Sequence, residues 1–365
     1  DEIFNKLEED LSLGYEQINE NIVSGENKKI KIKQDKSGEI IKWHLPHKKD
    51  EESVNNPFFD KLPTVSISEV INFTHMNTGF MKSFNHILPA YSKNKADPSS
   101  LSACIIAKGT GSDIYKMKDI SDVSEKDLES AYNSFIRHQT LVNASNEVMK
   151  HTQKLSIFVK YNLADYGVHA SVDGQKLETK YNVIKARYSK KYYGKGKGVS
   201  ALTMSANHLP LATKMIGSND HESHSLYDIV SSNTSDIEVA AISGDMHSIN
   251  RVNFALLYMF GYQFMPRFTN LDKRAAANLV CFDDPEKYAD YMIRPSTKVN
   301  KKLIKKEWDN LLRIFATLGL KKITQTNIVR KLSSHKSDDT IKALIEFDKI
   351  IMSIYMLHYI DNEDT

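Results

Sequence analysis

Hydrophobic and polar positions alternate sharply after Gly167. Val168, Ala170 and Val172 fall on one side and His169, Ser171 and Asp173 on the other, the period-two signature of a half-buried strand. Two further strands are predicted over Val199–Ala206 and Leu209–Ile216, with Asn207-His208 as the turn between them. A helix starting near Asp220 carries Leu226, Ile229 and Val230. The nearly continuous apolar run Ile237–Ile242 predicts a central strand covered on both faces, ended by Gly244. Val252, Phe254, Ala255, Leu256, Met259 and Phe260 then predict a helix, and Tyr262–Phe268 a fifth strand.

Elsewhere the spacing is mostly helical. Ile3, Phe4, Leu7 and Leu11 mark a first helix. Ile30 and Ile32, then Ile40, Ile41 and Trp43, flank a Lys36-Ser37-Gly38 turn and predict a hairpin. His44–Pro63 reads as a surface loop. From Ser66 to Val159 helices dominate, with Asp97-Pro98 and Ser124-Glu125-Lys126-Asp127 as helix starts. Beyond Phe268, Trp308, Leu311, Leu312, Phe315 and Leu318 share a helix face, and a last helix from about Asp338 is apolar around much of its girth.

Three strands, a helix, a strand, a helix and a strand predict an α/β plus α protein with a ribonuclease-H-like mixed sheet. The expected domains are a mainly helical region over 1–165, the sheet core over 166–269 and a helical insertion over 270–365. In open α/β sheets, sites form beyond the carboxyl ends of strands. Asp245 falls there.

Composition narrows the class without choosing a function. The net charge of +3 decides nothing, so any nucleic-acid reading rests on local clustering. Two cysteines offer neither a disulfide framework nor a zinc spacing, as in a reducing cytosol. No apolar run is long enough to span a membrane. The first residues, Asp1-Glu2-Ile3-Phe4, do not resemble a signal peptide, and without an initiator Met they are expected to continue something longer.

Asp173 and Asp245 are the candidate metal-binding and catalytic pair. The plain alternatives are an Asp-Gly turn for Asp173 and a helix cap for Asp245. Together, on adjacent strands, they suit magnesium, which takes oxygen ligands and substrate phosphate. Between them, Lys176–Lys197 holds eight basic residues against Glu178 alone, interleaved with four tyrosines. Lys185, Arg187, Lys190, Lys191, Lys195 and Lys197 are candidate phosphate contacts, with Arg251 and Arg267 near the second aspartate. The tyrosines could stack on unpaired bases. Asp220-His221-Glu222-Ser223-His224 has the wrong spacing for a zinc helix, and Asn219 or Asp220 is expected to cap a helix start.

At these residues a family resemblance enters. Tyr166-Gly-Val-His-Ala-Ser-Val-Asp173-Gly-Gln-Lys176 resembles the first acidic motif of the replicative class II, or Tn3-family, transposon transposases. Gly244-Asp245-Met-His-Ser-Ile-Asn-Arg-Val-Asn-Phe254, then Phe260-Gly-Tyr-Gln-Phe-Met-Pro-Arg267, resembles the second. Arg187–Gly198, Trp43-His-Leu-Pro46 and Thr78-Gly-Phe80 fit as well, so the likeness covers nearly the whole chain. It implies a DDE transposase that uses two Mg²⁺ or Mn²⁺ ions to nick transposon ends and join the 3′ hydroxyl to target DNA. Double-stranded DNA, a homodimer of the full-length protein and the bacterial cytosol or nucleoid are implied with it. The family's third acid, a helix-borne glutamate, is expected past Thr365, and Glu346 does not match its context. The family's large amino-terminal region that reads the transposon ends has no match here either. The fragment is therefore expected to be inactive alone. The rival reading is a non-catalytic DNA-binding or assembly module that keeps the fold.

Overall fold

The computed structural model describes residues 2–34, 36, 40–46, 57, 59–163, 167–334 and 338–361. The expected Ser37-Gly38 turn, most of the 47–58 loop and Tyr166 lie outside the described residues. The chain divides into two compact units, residues 1–49, 162–233 and 239–365 in one, and 50–161 with 234–238 in the other.

The first unit begins with helix α1 (Glu2–Ser24), which buries Phe4, Leu7, Leu11, Tyr15 and Ile18 along one face. Strands β1 (Lys31–Gln34) and β2 (Ile40–His44) pair antiparallel as the expected hairpin. The second unit is helical: α2 (Ile67–Thr78), α3 (Pro98–Gly109), α4 (Ile114–Met117), α5 (Glu125–Phe135) and α6 (His138–Thr152). The two helix starts read from the sequence are present. Asp97 accepts the Ser100 N–H at 2.8 Å with Pro98 at the first helical position. Ser124 accepts the Asp127 N–H at 3.2 Å.

The first unit then builds a six-stranded sheet. β3 (His169–Glu178), β5 (Lys197–Ala206) and β6 (Leu209–Gly217) are antiparallel neighbours. Short β4 (Arg187–Tyr188) also lies on β5 and leads into a single turn, α7 (Lys190–Tyr193). β7 (Ala241–Gly244) pairs parallel with β3, and β8 (Gln263–Phe264) parallel with β7. The order is β4-β5-β3-β7-β8, with β6 also on β5.

Short helices α8 (Leu226–Val230) and α9 (Asn253–Met259) flank β7 in sequence. α10 (Leu271–Asn278), the short parallel strands β9 (Val280–Cys281) and β10 (Thr297–Lys298), α11 (Lys301–Gly319), α12 (Gln325–Ser334) and α13 (Asp339–Asp361) complete the unit. α13 packs against α1, α9 and α11, so its apolar girth is covered on several sides. Leu344, Phe347, Ile350 and Met356 are fully buried there. Among the described residues no helix is long and apolar enough to cross a membrane.

Two elements are shorter than the sequence pattern predicts. The expected strand over 237–242 is regular only from Ala241, which pairs with His169, although the Ala240 N–H already bonds the Val168 carbonyl at 3.0 Å. β8 is two residues long, yet its hydrogen bonds run on: Met265 N–H donates to Ile242 and Arg267 N–H to Gly244. Pro266 sits between those two donors, where a missing N–H costs nothing. Leu312 is 41% exposed, so the buried face of α11 runs through Ile304, Leu311, Phe315 and Leu318.

Candidate functional site

The β3–β7 register pairs Ser171 with Ser243 and Val172 with Gly244. Asp173 and Asp245 are therefore the next residue on each of two parallel neighbours, strands ~4.8 Å apart. β8 adds a third row. Ile242 pairs with Phe264, and the Arg267 N–H on the Gly244 carbonyl carries the ladder on, so Arg267 falls beside Asp245. Ala170, Val172, Ile242 and Phe264 are buried, while Asp173, Asp245 and Arg267 are exposed. Alternation thus sends all three side chains to the same open face. The structure brings this trio together at one end of the parallel strands.

Asp173-Gly174 is not a turn. Both residues lie inside β3, opposite Thr203 and Leu202 of β5. Gly174 is approached closely: an added Cβ would collide with the Glu222 carboxyl group, which would have to shift. Glu222 in turn takes the Lys176 ammonium at 3.1 Å and the Ser200 hydroxyl at 3.3 Å. Asp245 does cap a turn: its Oδ1 accepts the His247 N–H at 2.8 Å. Gly244 is pinned in the same way, since a Cβ there would sit 2.5 Å from Ser248 Oγ.

Each aspartate keeps one oxygen on a backbone N–H, Asp173 through Gly174 at 2.8 Å and Asp245 through His247. Among the described residues no cation pairs with either. Two steadied, exposed carboxylates with a second oxygen open are a hard donor set that fits Mg²⁺ or Mn²⁺. Among the described residues no group of three or more His, Cys, Asp or Glu side chains forms a metal cluster. Glu346 is engaged elsewhere, on the Asn300 N–H at 3.0 Å and Lys349 at 2.8 Å.

A buried polar network braces the turn that carries Asp245. The Ser223 carbonyl accepts from Asn250, Asn253 and Gln325, each at 3.0 Å. Asn253 also donates to the Ser248 carbonyl at 2.7 Å, and Gln325 donates to Asn253 Oδ1 at 2.6 Å. The 222–225 turn thus touches Gly174 through Glu222 and the Asp245 turn through Ser223. Sequence reasoning misses Glu222, Asn253 and Gln325. The one local signal is Gly174 itself, a glycine in a strand where backbone must be approached closely.

Asp220 does not cap a helix. It closes a turn on the Gly217 N–H at 3.0 Å and pairs with Arg330 of α12 at 3.1 Å. His221 and His224 lie with rings 5.2 Å apart. Burial lowers the His224 pKa, with His221 and Arg330 acting in the same direction and Asp220 opposing them.

The basic residues gather on an arm built from β3, β4, α7 and β5. Residues 179–219 contain no aspartate or glutamate. Lys190, Lys191 and Lys195 are exposed. Lys185 donates to the Met215 carbonyl at 2.6 Å, Arg187 to Ile184 and Ala186 carbonyls, and Lys197 to Asn182 at 3.2 Å. Those three brace the arm as well as charging it. Lys180, Lys195 and Lys197 line an open groove of about 750 Å³ with Tyr181 and Glu178. The tyrosines divide. Tyr193 is packed under Gly198 with its hydroxyl on the Val199 carbonyl at 3.2 Å, whereas Tyr181 is 73% and Tyr188 55% exposed. Arg251, exposed in the turn before α9, flanks Asp245 in sequence.

Comparison with known proteins gives one family. The family described as the Tn3 transposase DDE domain matches residues 69–365. The chain is 23% identical over 320 residues to the transposase for transposon gamma-delta of Escherichia coli (strain K12), covering 85% of this chain and 31% of that protein. It is 28% identical over 313 residues to the transposase for transposon Tn2501 of Escherichia coli, 83% of this chain and 31% of the relative. The transposase for transposon Tn1546 of Enterococcus faecium is 21% identical over 311 residues, 84% of this chain and 30% of the relative. The chain thus spans about a third of the length of these relatives.

Proposed function

The chain belongs to the Tn3 transposase DDE domain family, and from that premise we propose that it is the catalytic region of a DNA transposase. The order β6-β5-β3-β7-β8, three antiparallel strands followed by two parallel ones, supports a ribonuclease-H-like core over residues 166–269. On this reading residues 1–165 flank the core and 270–365 form a helical insertion.

The observation that carries the proposal is the row Asp173–Asp245–Arg267 across β3, β7 and β8. Asp173 and Asp245 would hold Mg²⁺ or Mn²⁺, two ions in the complete site. Such ions, when bound, polarise a phosphoryl oxygen and ease deprotonation of an attacking water or 3′ hydroxyl. The chain's own share is positioning and charge. The Gly174 and His247 amides fix the two carboxylates. Arg267, in the row of Asp245, and Arg251, six residues after Asp245 in sequence, would neutralise charge gathering on the scissile phosphate. Lys185, Arg187, Lys190, Lys191, Lys195 and Lys197 would follow the DNA backbone without reading sequence. The reaction so served is nicking at the transposon end, then transfer of the freed 3′ hydroxyl into target DNA. Two ends brought together imply a homodimer of the full-length protein, acting in the bacterial cytosol.

A magnesium-dependent nicking assay on transposon-end DNA tests this in the full-length transposase. Asp173→Ala and Asp245→Ala are expected to abolish cleavage while thermal unfolding and DNA binding stay unchanged. Full cleavage by either variant refutes the assignment. A second reading, a DNA-binding or assembly module, is favoured for the chain in isolation by one fact: among the described residues the site holds two carboxylates and no third. It predicts DNA binding without nicking by these 365 residues alone.

A further inference from the structure

The loop between β3 and β4 breaks the usual chemistry of turns. The Ala186 N–H bonds the Val183 carbonyl at 2.9 Å, which puts Ile184 and Lys185 at the two central positions of a tight turn. Such positions favour Gly, Pro, Asn, Asp and Ser. Ile184 is instead 95% exposed, with Val183 51% and Tyr181 73% exposed beside it. A single exposed aliphatic is ordinary, but a cluster that breaks local preference points to a site.

The turn is also held stiffly. Arg187 donates to the Ile184 carbonyl at 2.8 Å, and Lys185 to the Met215 carbonyl at 2.6 Å on β6. The apolar tip is thus presented to solvent on a braced arm. Its surroundings choose the partner: Lys180, Lys185 and Arg187 flank the tip, and no acidic residue lies between 179 and 219. That excess of one sign calls for a polyanion, and the transposase reading supplies one in the phosphate backbone of DNA.

We propose that Ile184 is a wedge that enters duplex DNA between neighbouring bases while the lysines around it hold the phosphates. This inference rests on the transposase reading and adds to it a point of DNA distortion. Insertion covers an aliphatic side chain that otherwise faces water, which offsets part of the cost of unstacking a base step. The turn lies on the β6 side of the sheet, since Lys185 reaches the Met215 carbonyl in the row of Ala201 and Gln175, so the wedge acts to one side of the phosphate at the aspartates. Distortion there would let the duplex bend along the arm.

The test uses the whole chain and a short duplex carrying 2-aminopurine at successive positions, whose fluorescence rises on unstacking. Anisotropy across a salt series measures binding on the same samples. Wild type is expected to raise the fluorescence at one or two adjacent positions. Ile184→Ala is expected to lose at least four-fifths of that rise with the salt slope unchanged, and Ile184→Met to retain most of it. Equal rises in wild type and Ile184→Ala, or salt-dependent binding with no rise in wild type, overturn the wedge and leave the transposase reading standing. Binding that ignores salt, with Lys190→Ala and Lys191→Ala without effect, removes the phosphate contacts of that reading and the wedge with them.

Discussion

The Gln325 side-chain amide donates to Asn253 Oδ1 at 2.6 Å, joining α12 to the start of α9 inside the first unit. Both residues are buried, and their remaining bonds are also internal: Gln325 to the Ser223 carbonyl and the Tyr227 N–H, Asn253 to the Ser223 and Ser248 carbonyls. Ser248 closes on the Asp245 carbonyl at 2.6 Å. Helix α12 is therefore tied to the turn that aims Asp245.

Replacing Gln325 with methionine keeps the volume and removes every hydrogen bond of the side chain. Three buried partners lose a bond at once. The expected cost is about 2–4 kcal/mol, each unsatisfied group contributing about 1–3 kcal/mol with partial relaxation. Urea unfolding of the chain measures it. Amide exchange at His247 and Ser248 is expected to speed up in the variant under native conditions. Unchanged protection there would show that the Asp245 turn does not depend on α12.

The sheet is legible in the sequence because its signals are local. Period-two alternation marks β3, β5 and β6, and Asn207 and His208 adopt the left-handed turn conformation that the Asn-His pair between β5 and β6 requires, with φ of 46° and 66°. The pairing of Val172 with Gly244 follows only from element order. It arises from contacts seventy residues apart, which periodicity does not carry. The brace around the aspartates is hidden for the same reason. In the sequence Glu222 is one acid in a histidine-rich stretch, and Gln325 a polar residue opening a helix; only the fold brings Gly174 and Asn253 to them. Asp220 reads as a cap because its partner, Arg330, is 110 residues away.

Gly174 and Glu222 compete for one space. Alanine at Gly174 needs the Glu222 carboxyl to move, and moving it breaks the bonds to Lys176 and Ser200. Gly174→Ala is expected to destabilise by about 1–3 kcal/mol, the range for losing hydrogen bonds to a charged group. In a Glu222→Ala background the same substitution should be nearly neutral, because the obstacle is gone. A double-mutant cycle by chemical denaturation reads the difference. Additive costs would show that the two residues do not meet.

Asp348 on α13 is fully buried and accepts the Ala255 N–H of α9 at 2.9 Å. Burial raises its pKa to about 8, and the backbone N–H groups of Ala255 and Phe254 only partly oppose that. The unfolded chain loses this proton near pH ~3.9. Between those values the folded state binds the extra proton, so stability falls as pH rises, by up to ~1.4 kcal/mol per unit. The loss levels off above about pH 8. An asparagine side chain at this position would keep the acceptor without the charge, so Asp348→Asn is expected to flatten melting temperature against pH across that window. Parallel wild-type and variant curves would show that Asp348 does not titrate there.

Lys190 and Lys191 test the charge of the arm without disturbing its bracing. Both are exposed on α7, and Lys191 lies 5.0 Å from the Tyr192 ring centre, whereas Lys185 and Lys197 bond to the arm itself. Each phosphate contact releases counterions and contributes ~0.9 to the slope of log affinity against log salt. The double variant Lys190→Ala, Lys191→Ala is expected to flatten that slope by ~1.8 if both contact phosphate, with the same melting temperature as wild type. Lys185→Ala should instead lower both the slope and the melting temperature, because the bond to the Met215 carbonyl goes with the charge. Anisotropy titrations from low to physiological salt, run beside thermal melts, separate the two effects. A slope unmoved by the double variant would take the DNA path off α7 and leave Arg267, in the row of Asp245, as the arginine to test next.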